Sequence, residues 1–223
     1  KLVILLYGEQ GTGKTLTANG IANYLNLPLC TVQVSNFFSK WFGQSEQRLQ
    51  EFFSNYRKSK KPGVLLFDEA DSIFTTRFTN ADSSIEMLHN RLINILLREI
   101  ENFKGVAILT SNLYQNFDKS FERRLSLKIE FTRPTKEQRM KIWEVHLNRG
   151  LPVSDDCNIE KLAEYELSGG EIKNAVENAV RVAAFRVSQG GEDKITVNDF
   201  LKGIDQERQG KKEKERKTIG FLS

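Results

Sequence analysis

Lys1-Leu2-Val3-Ile4-Leu5-Leu6-Tyr7-Gly8-Glu9-Gln10-Gly11-Thr12-Gly13-Lys14-Thr15 opens the chain and decides how the rest is read. An apolar run passes straight into a turn that satisfies G-x-x-x-x-G-K-[ST] at Gly8, Gly13, Lys14 and Thr15. Glycines let consecutive backbone N–H groups converge on one point, and the helix that follows adds its positive N-terminal end, so such a turn cradles phosphate. Gly8, Glu9, Gln10, Gly11, Thr12, Gly13, Lys14, Thr15 and Leu16 would then surround the phosphates of a nucleotide. Lys14 would reach the β- and γ-phosphates, and the Thr15 hydroxyl would ligate Mg²⁺. A flexible Gly/Thr turn is the plainer alternative. The context weighs against it: helix formers follow from Leu16 to Leu25, with Ile21, Ala22 and Leu25 on one face.

At 223 residues the chain suits one large domain or a core with a small satellite. An apolar fraction of 39% beside 28% charged residues describes an ordinary globular protein. No apolar run is long enough to span a bilayer, and the opening segment is too short for a signal peptide before it enters the glycine turn. The chain lacks an initiator Met and begins inside a strand pattern, which reads as a piece cut from something longer. Its two cysteines, Cys30 and Cys157, have no metal-ligand spacing. Cys30 falls within a strand-like run as a small core residue, and a reducing, cytoplasmic compartment fits. The net charge is a modest +4, part of it in Lys211-Lys212-Glu213-Lys214-Glu215-Arg216-Lys217. A mixed run of this kind is a solvated helix end or a disordered tail, so nucleic-acid contact is not favoured.

Short apolar runs alternate with amphipathic helical patterns. Strands are expected at Leu2–Tyr7, Pro28–Val34, Gly63–Phe67, Gly105–Thr110 and Leu127–Phe131. Between them, Gln44–Arg57 carries Leu49, Phe52, Phe53 and Tyr56 at helical spacing, and Ile85–Ile100 carries Leu88, Leu92, Ile95, Leu96 and Ile100 on one face. Strand–helix alternation predicts an α/β fold: a five-stranded parallel sheet in a three-layer α-β-α sandwich. Val64-Leu65-Leu66-Phe67 is apolar throughout, as a central parallel strand should be. Beyond Phe131 the pattern turns all-helical. Pro134 and a Thr135 cap with Gln138 start one helix. Ile159–Tyr165 follows. Glu171–Arg186 carries Ile172, Ala175, Val176, Ala179, Val180 and Ala183 on one stripe, and Thr196–Glu207 turns Val197, Phe200, Leu201 and Ile204 inward. The expected organisation is a phosphate-loop core at 1–133, a small helical lid at 134–210 and a basic tail at 211–223.

Phe67-Asp68-Glu69-Ala70-Asp71 ends the apolar strand. A carboxylate at that point, beside a phosphate loop, can hold the hydration shell of Mg²⁺, and Asp68 takes that role. Glu69 then accepts a proton from, or orients, the attacking water. Thr110-Ser111-Asn112 ends the next apolar strand. Asn112 either bonds the phosphate or the water, or is an ordinary turn residue. Phe121-Glu122-Arg123-Arg124 precedes the last strand. Its arginines are solvated surface residues, or they neutralise a phosphate held by a neighbouring subunit.

Taken together these motifs resemble the AAA ATPases, ring-forming remodelling enzymes, especially their spastin- and katanin-like and related prokaryotic modules. The resemblance covers nearly the whole chain. Gly8–Thr15 is similar to the Walker A loop, Leu65–Glu69 to Walker B and Asn112 to sensor 1, while Arg123 and Arg124 fall where the family places its arginine fingers. His146 resembles the family histidine that approaches the nucleotide. Ser168-Gly169-Gly170-Glu171-Ile172 resembles the start of the sensor 2 helix, which puts Gly170 and Glu171 near adenine. Ser39-Lys40-Trp41-Phe42-Gly43 is similar to the aromatic pore loop, whose flat apolar ring grips any side chain while a basic neighbour adds attraction. Arg77-Phe78-Thr79-Asn80 is a weaker candidate for a second pore loop. The chain departs from the family in several places. It has no proline at Glu9 or Gln10, it carries Glu101-Asn102-Phe103 where the family's D-G-[FV] signalling stretch stands, and it has Gln115-Asn116-Phe117-Asp118 where R-P-G-R is frequent. The sensor 2 arginine is missing, with Lys173 as a substitute or a solvated helix-face lysine.

The resemblance implies an ATP hydrolase that uses Mg²⁺, assembles as a homo-oligomeric, hexameric ring with its upstream segment, and threads a protein substrate over Trp41. ATP, and ADP after the reaction, would sit between core and lid. Two other classes remain open. The pI of 9.0 permits a nucleic-acid-directed motor or clamp loader. A nucleotide-gated scaffold that scarcely hydrolyses is the third, and the intact Asp68, Glu69 and paired arginines argue against it.

Overall fold

The computed structural model describes residues 1–32, 44–59, 63–71, 84–114 and 119–220. The expected pore residues Lys40, Trp41 and Phe42, the stretch Arg77-Phe78-Thr79-Asn80 and Gln115-Asn116-Phe117-Asp118 lie outside them. The chain divides into two units, Lys1–Glu9 with Gly13–Phe131 and Gln10–Thr12 with Thr132–Ser223.

In the first unit, strands β1 (Leu2–Gly8), β2 (Leu29–Val32), β3 (Val64–Phe67), β4 (Val106–Ser111) and β5 (Leu127–Phe131) form one sheet in the order β2-β3-β4-β1-β5. All pairs are parallel. This is the sheet expected from strand–helix alternation. Side chains alternate faces along each strand. Val3, Leu5, Leu65, Phe67, Ala107 and Leu109 join one apolar cluster with Leu49 and Phe53 of helix α2 (Gln44–Lys58) and Leu92, Leu96 and Ile100 of α3 (Ser84–Asn102). Ile4, Leu6, Val64, Leu66 and Ile108 join another with Ala18 and Ala22 of α1 (Lys14–Tyr24). Burial on both faces is why the central strands read as unbroken apolar runs. Phe53 stacks on Phe67 with ring centroids 6.4 Å apart. The buried Glu99 accepts a hydrogen bond from Arg57, tying α3 to α2.

Register sets the site. Tyr7 lies opposite Ser111, and Leu109 opposite Phe67. Gly8, Asp68 and the end of β4 therefore reach the same carboxyl edge of the sheet, where open parallel sheets bind ligands. The short helix α4 (Lys119–Glu122) precedes β5. The strand expected over Pro28–Val34 is described as Leu29–Val32, with Gln33 and Val34 outside the described residues. Because β2 is an edge strand, Cys30 is half-buried rather than sealed in the core.

The second unit is helical: α5 (Lys136–Leu147), α6 (Ile159–Leu162), α7 (Gly169–Ser188) and α8 (Val197–Gly220). Thr135 and Gln138 form a capping box at α5, as the sequence predicts, and Ser168 and Glu171 form another at α7. The α7 stripe Ile172, Ala175, Val176, Ala179 and Ala183 is buried with Trp143, Phe200 and Ile204. Trp143 meets Phe200 edge-on at 5.9 Å. The last helix runs past Glu207 to Gly220, because the lysines and glutamates of the mixed run are good helix formers.

Candidate active site

Between β1 and α1 the backbone turns through Gly8 at φ 137° and Gly13 at φ 101°. A Cβ on Gly8 would stand 2.1 Å from the Phe131 carbonyl oxygen, so β5 leaves room for glycine alone. Lys14 opens α1 and is 8% exposed. Its ammonium donates to the Gly8 and Glu9 carbonyls, both at 2.7 Å, and to Asn112 Oδ1 at 2.9 Å. Burial lowers its pKa, against the opposing pull of Asp71 and Asp68. A lysine has three donors. Two are held by the turn itself, and the third goes to Asn112, the residue just past β4. Thr15 and Leu16 follow on the exposed side of α1, Leu16 being 76% exposed.

The Thr15 hydroxyl donates to Asp68, 3.2 Å from Oδ1 and 3.4 Å from Oδ2. The expected metal pair is therefore brought together. Among the described residues no group of three or more His, Cys, Asp or Glu side chains is placed to cage a metal. One hydroxyl and one carboxylate suit Mg²⁺, which keeps most of its waters and takes its remaining ligands from phosphate.

Glu69 adopts a left-handed backbone, φ 53°. A non-glycine residue in that region costs of order 1–3 kcal/mol and is held by its surroundings. Thr110 does the holding. Its hydroxyl donates to Asp68 Oδ1 and accepts from the Glu69 amide at 3.1 Å, while its carbonyl accepts from the Ala70 amide at 2.8 Å. Asp71 Oδ1 accepts from the Asn112 amide at 3.3 Å. Thr110 and Asp71 are site residues that the sequence reading did not assign. A hydroxyl after four apolar residues marks Thr110 in the sequence but does not give its role, which needs β3 and β4 side by side. Asp71 needed the β3–β4 register to be found.

Arg123 is exposed beyond α4. Arg124 Nε lies 2.8 Å from Glu101 Oε1, and Glu101 belongs to the stretch that departs from the family's signalling pattern. In the second unit, the Gly170 amide donates to the Gly11 carbonyl at 2.8 Å, and a Cβ on Gly170 would come within 3.0 Å of Gly11 Cα. The Glu171 carboxylate accepts from the Ser168 amide at 2.7 Å and faces Lys211 at 2.9 Å and Arg133 at 3.5 Å. Burial alone would raise its pKa, but these partners outweigh it and hold the group below the usual range. His146 lines a hollow of about 330 Å³ with Arg149, Lys173 and Glu177 over Val176 and Val180. Burial first, then Arg149 and Lys173, lowers its pKa. Lys173 lies 3.8 Å from Glu177, one turn along α7.

The arrangement at the sheet edge can bind a triphosphate through backbone amides and Lys14, present oxygen ligands to a hydrated cation, and hold Glu69 beside them. Residues 4–133 match the model of the ATPase family associated with various cellular activities (AAA). The chain is 34% identical over 209 residues to a cell division cycle protein 48 homolog of Archaeoglobus fulgidus, covering 90% of this chain and 28% of that protein. It is 30% identical over 220 residues to a proteasome-activating nucleotidase of Methanopyrus kandleri, covering 95% and 49%. It is 31% identical over 208 residues to an ATP-dependent zinc metalloprotease FtsH of Thermotoga maritima, covering 91% and 33%. The chain thus spans less than half the length of each of these relatives.

Proposed function

The chain belongs to the AAA family of ATPases, and on that premise we propose that it couples ATP hydrolysis, through the residues gathered at the sheet edge, to the remodelling of a protein substrate. Nucleotide binding and hydrolysis are what the family does. Gly8 to Leu16 hold the phosphates, and Lys14 gives up one of its present acceptors to meet the γ-phosphate. Mg²⁺ would sit at Thr15 and Asp68, where it would neutralise charge on the phosphate oxygens. Glu69 takes the proton of the attacking water, the β–γ bridging oxygen leaves with ADP, and Asn112 holds Lys14 and the γ-phosphate in register. His146, Gly170 and Glu171 form the adenine side.

Arg123 and Arg124 act on the nucleotide of the next subunit in a hexameric ring, and Trp41, between Lys40 and Phe42, contacts the substrate. The domain boundaries of this scheme are 1–133, 134–210 and 211–223, and a cytoplasmic setting suits it. Among the described residues no helix is long and apolar enough to cross a membrane.

The observation that carries the proposal is the two hydrogen-bonded sets Lys14–Asn112 and Thr15–Asp68–Thr110, which join the start of α1 to the ends of β3 and β4. Its test is Glu69→Gln. The variant is expected to bind ATP as tightly as wild type and to hydrolyse it at least a hundredfold more slowly. Undiminished hydrolysis removes Glu69 as base. In the same assay, stimulation by an unfolded protein that disappears in Trp41→Ala supports threading. Stimulation by DNA that survives Trp41→Ala supports a nucleic-acid motor instead.

A further inference from the structure

Tyr114 stands two residues beyond Asn112. Its ring stacks on Tyr7, centroids 4.4 Å apart at 26°, and Tyr7 immediately precedes Gly8 of the phosphate loop. Its hydroxyl donates to Glu122 Oε1 at 2.6 Å and accepts from Lys128 Nζ at 2.8 Å. A lysine ammonium can only donate, so it fixes the phenol's hydrogen toward the carboxylate. The hydrogen bond to Tyr114 also raises the Lys128 pKa, so the ammonium stays charged. Glu122 ends α4 and is followed directly by Arg123 and Arg124.

That turn is tight. The Arg124 amide donates to the Phe121 carbonyl at 2.9 Å and the Leu125 amide to the Glu122 carbonyl at 3.2 Å. Phe121 is 0% exposed in the sheet's apolar cluster. The base of the arginine pair therefore has an anchor in the core. Besides the Arg124–Glu101 ion pair, a side-chain anchor at Glu122 leads through Tyr114 to Tyr7, next to the phosphate loop, and two residues back along the chain to Asn112, which accepts from Lys14.

We propose that Tyr114 is a positioning residue that couples the Asn112–Lys14 contact in one subunit to the placement of Arg123 and Arg124 on the next. The ring provides a rigid strut against Tyr7, and the hydroxyl is the joint. This rests on the reading of Arg123 and Arg124 as fingers acting in trans, and the experiment separates the two.

In the assembled full-length protein, Tyr114→Phe keeps the stack and removes the joint. It is expected to lower kcat roughly three- to tenfold, the scale of one hydrogen bond, and to bring the Hill coefficient for ATP toward one. KM and Tm should stay at wild-type values. Glu122→Gln, whose amide oxygen still accepts, should behave as wild type, and Glu122→Leu should match Tyr114→Phe without adding to it in the double variant. Arg123→Ala and Arg124→Ala run alongside. If those variants fail to turn over while Tyr114→Phe keeps wild-type kcat and cooperativity, the coupling is wrong and the fingers stand. If Tyr114→Phe instead lowers Tm and raises KM with kcat unchanged, Tyr114 is only structural and the proposal is overturned. If both arginine variants turn over normally, the finger reading falls and the coupling falls with it.

Discussion

Lys14, Asp68 and Glu69 could be proposed from the sequence because phosphate chemistry calls for those residue types in the turns that follow apolar strands, and the structure sets Lys14 and Asp68 at one sheet edge with Glu69 directly after Asp68. Thr110 could not be. Its role depends on β3 and β4 lying side by side, which puts its hydroxyl between Asp68 and the Glu69 amide. The arginines pose a different problem at this scale. Arg124 is engaged by Glu101 within its own subunit, so under the proposed scheme the guanidinium exchanges that carboxylate for a neighbour's phosphate. Arg124→Ala should leave ATP affinity close to wild type and reduce turnover about 10³–10⁵-fold, the effect of losing a finger. Glu101→Gln breaks the same ion pair but keeps the guanidinium, and should hold turnover at or above wild type. Nucleotide titration and steady-state rates on both variants check this. Equal losses in the two would mean that the ion pair, rather than the finger, is what matters.

Helices α7 and α8 show what element-scale patterns reveal and what they miss. The apolar stripes of both are visible as helical spacing, and the Thr135 cap is visible as a Thr–Gln pair three apart, whereas Ser168 and Glu171 read as the start of a nucleotide-side helix and prove to close a capping box. The closeness of the two helices is not. A Cβ on Gly203 would stand 2.4 Å from the Ala175 carbonyl oxygen and 2.9 Å from the Ala179 nitrogen, both backbone atoms that cannot swing aside. Gly203→Ala gains helix propensity of about 1 kcal/mol but overpacks by more, and a net loss of about 2 kcal/mol is expected by denaturant unfolding. The start of α8 carries a second device. Asp199 is 1% exposed, accepts from the Thr196 amide and hydroxyl at 2.9 Å each, and lies 2.9 Å from Arg186 Nη2. Burial would raise its pKa, but Arg186 and Thr196 outweigh that and hold it below the usual value. A depressed folded-state pKa stabilises the protein above the unfolded value near 4 and loses that contribution as pH falls through the folded one. The Tm of wild type should therefore fall below about pH 4. Asp199→Asn should start lower at pH 7 and lose less on acidification, and parallel pH profiles for the two proteins would contradict this role.

At the scale of the whole molecule, the order of strands and helices was readable because each strand is buried on both faces or paired at an edge, so the apolar runs stand out against amphipathic helices. The strand order β2-β3-β4-β1-β5 has no counterpart in local spacing and comes from packing alone. The assembled behaviour likewise depends on more than one chain's pattern: Arg123 and Arg124 complete no site in their own subunit under the proposed scheme. A site finished in trans makes the rate a function of association, since subunit binding shifts the active population by mass action. The decisive measurement is ATP turnover per subunit against protein concentration, from well below to well above assembly, with Arg124→Ala as the parallel series. The account predicts a steep rise to a plateau for wild type and a flat, near-zero line for the variant. A wild-type rate per subunit that is constant across the whole range, or an Arg124→Ala series that reaches the same plateau, would contradict it.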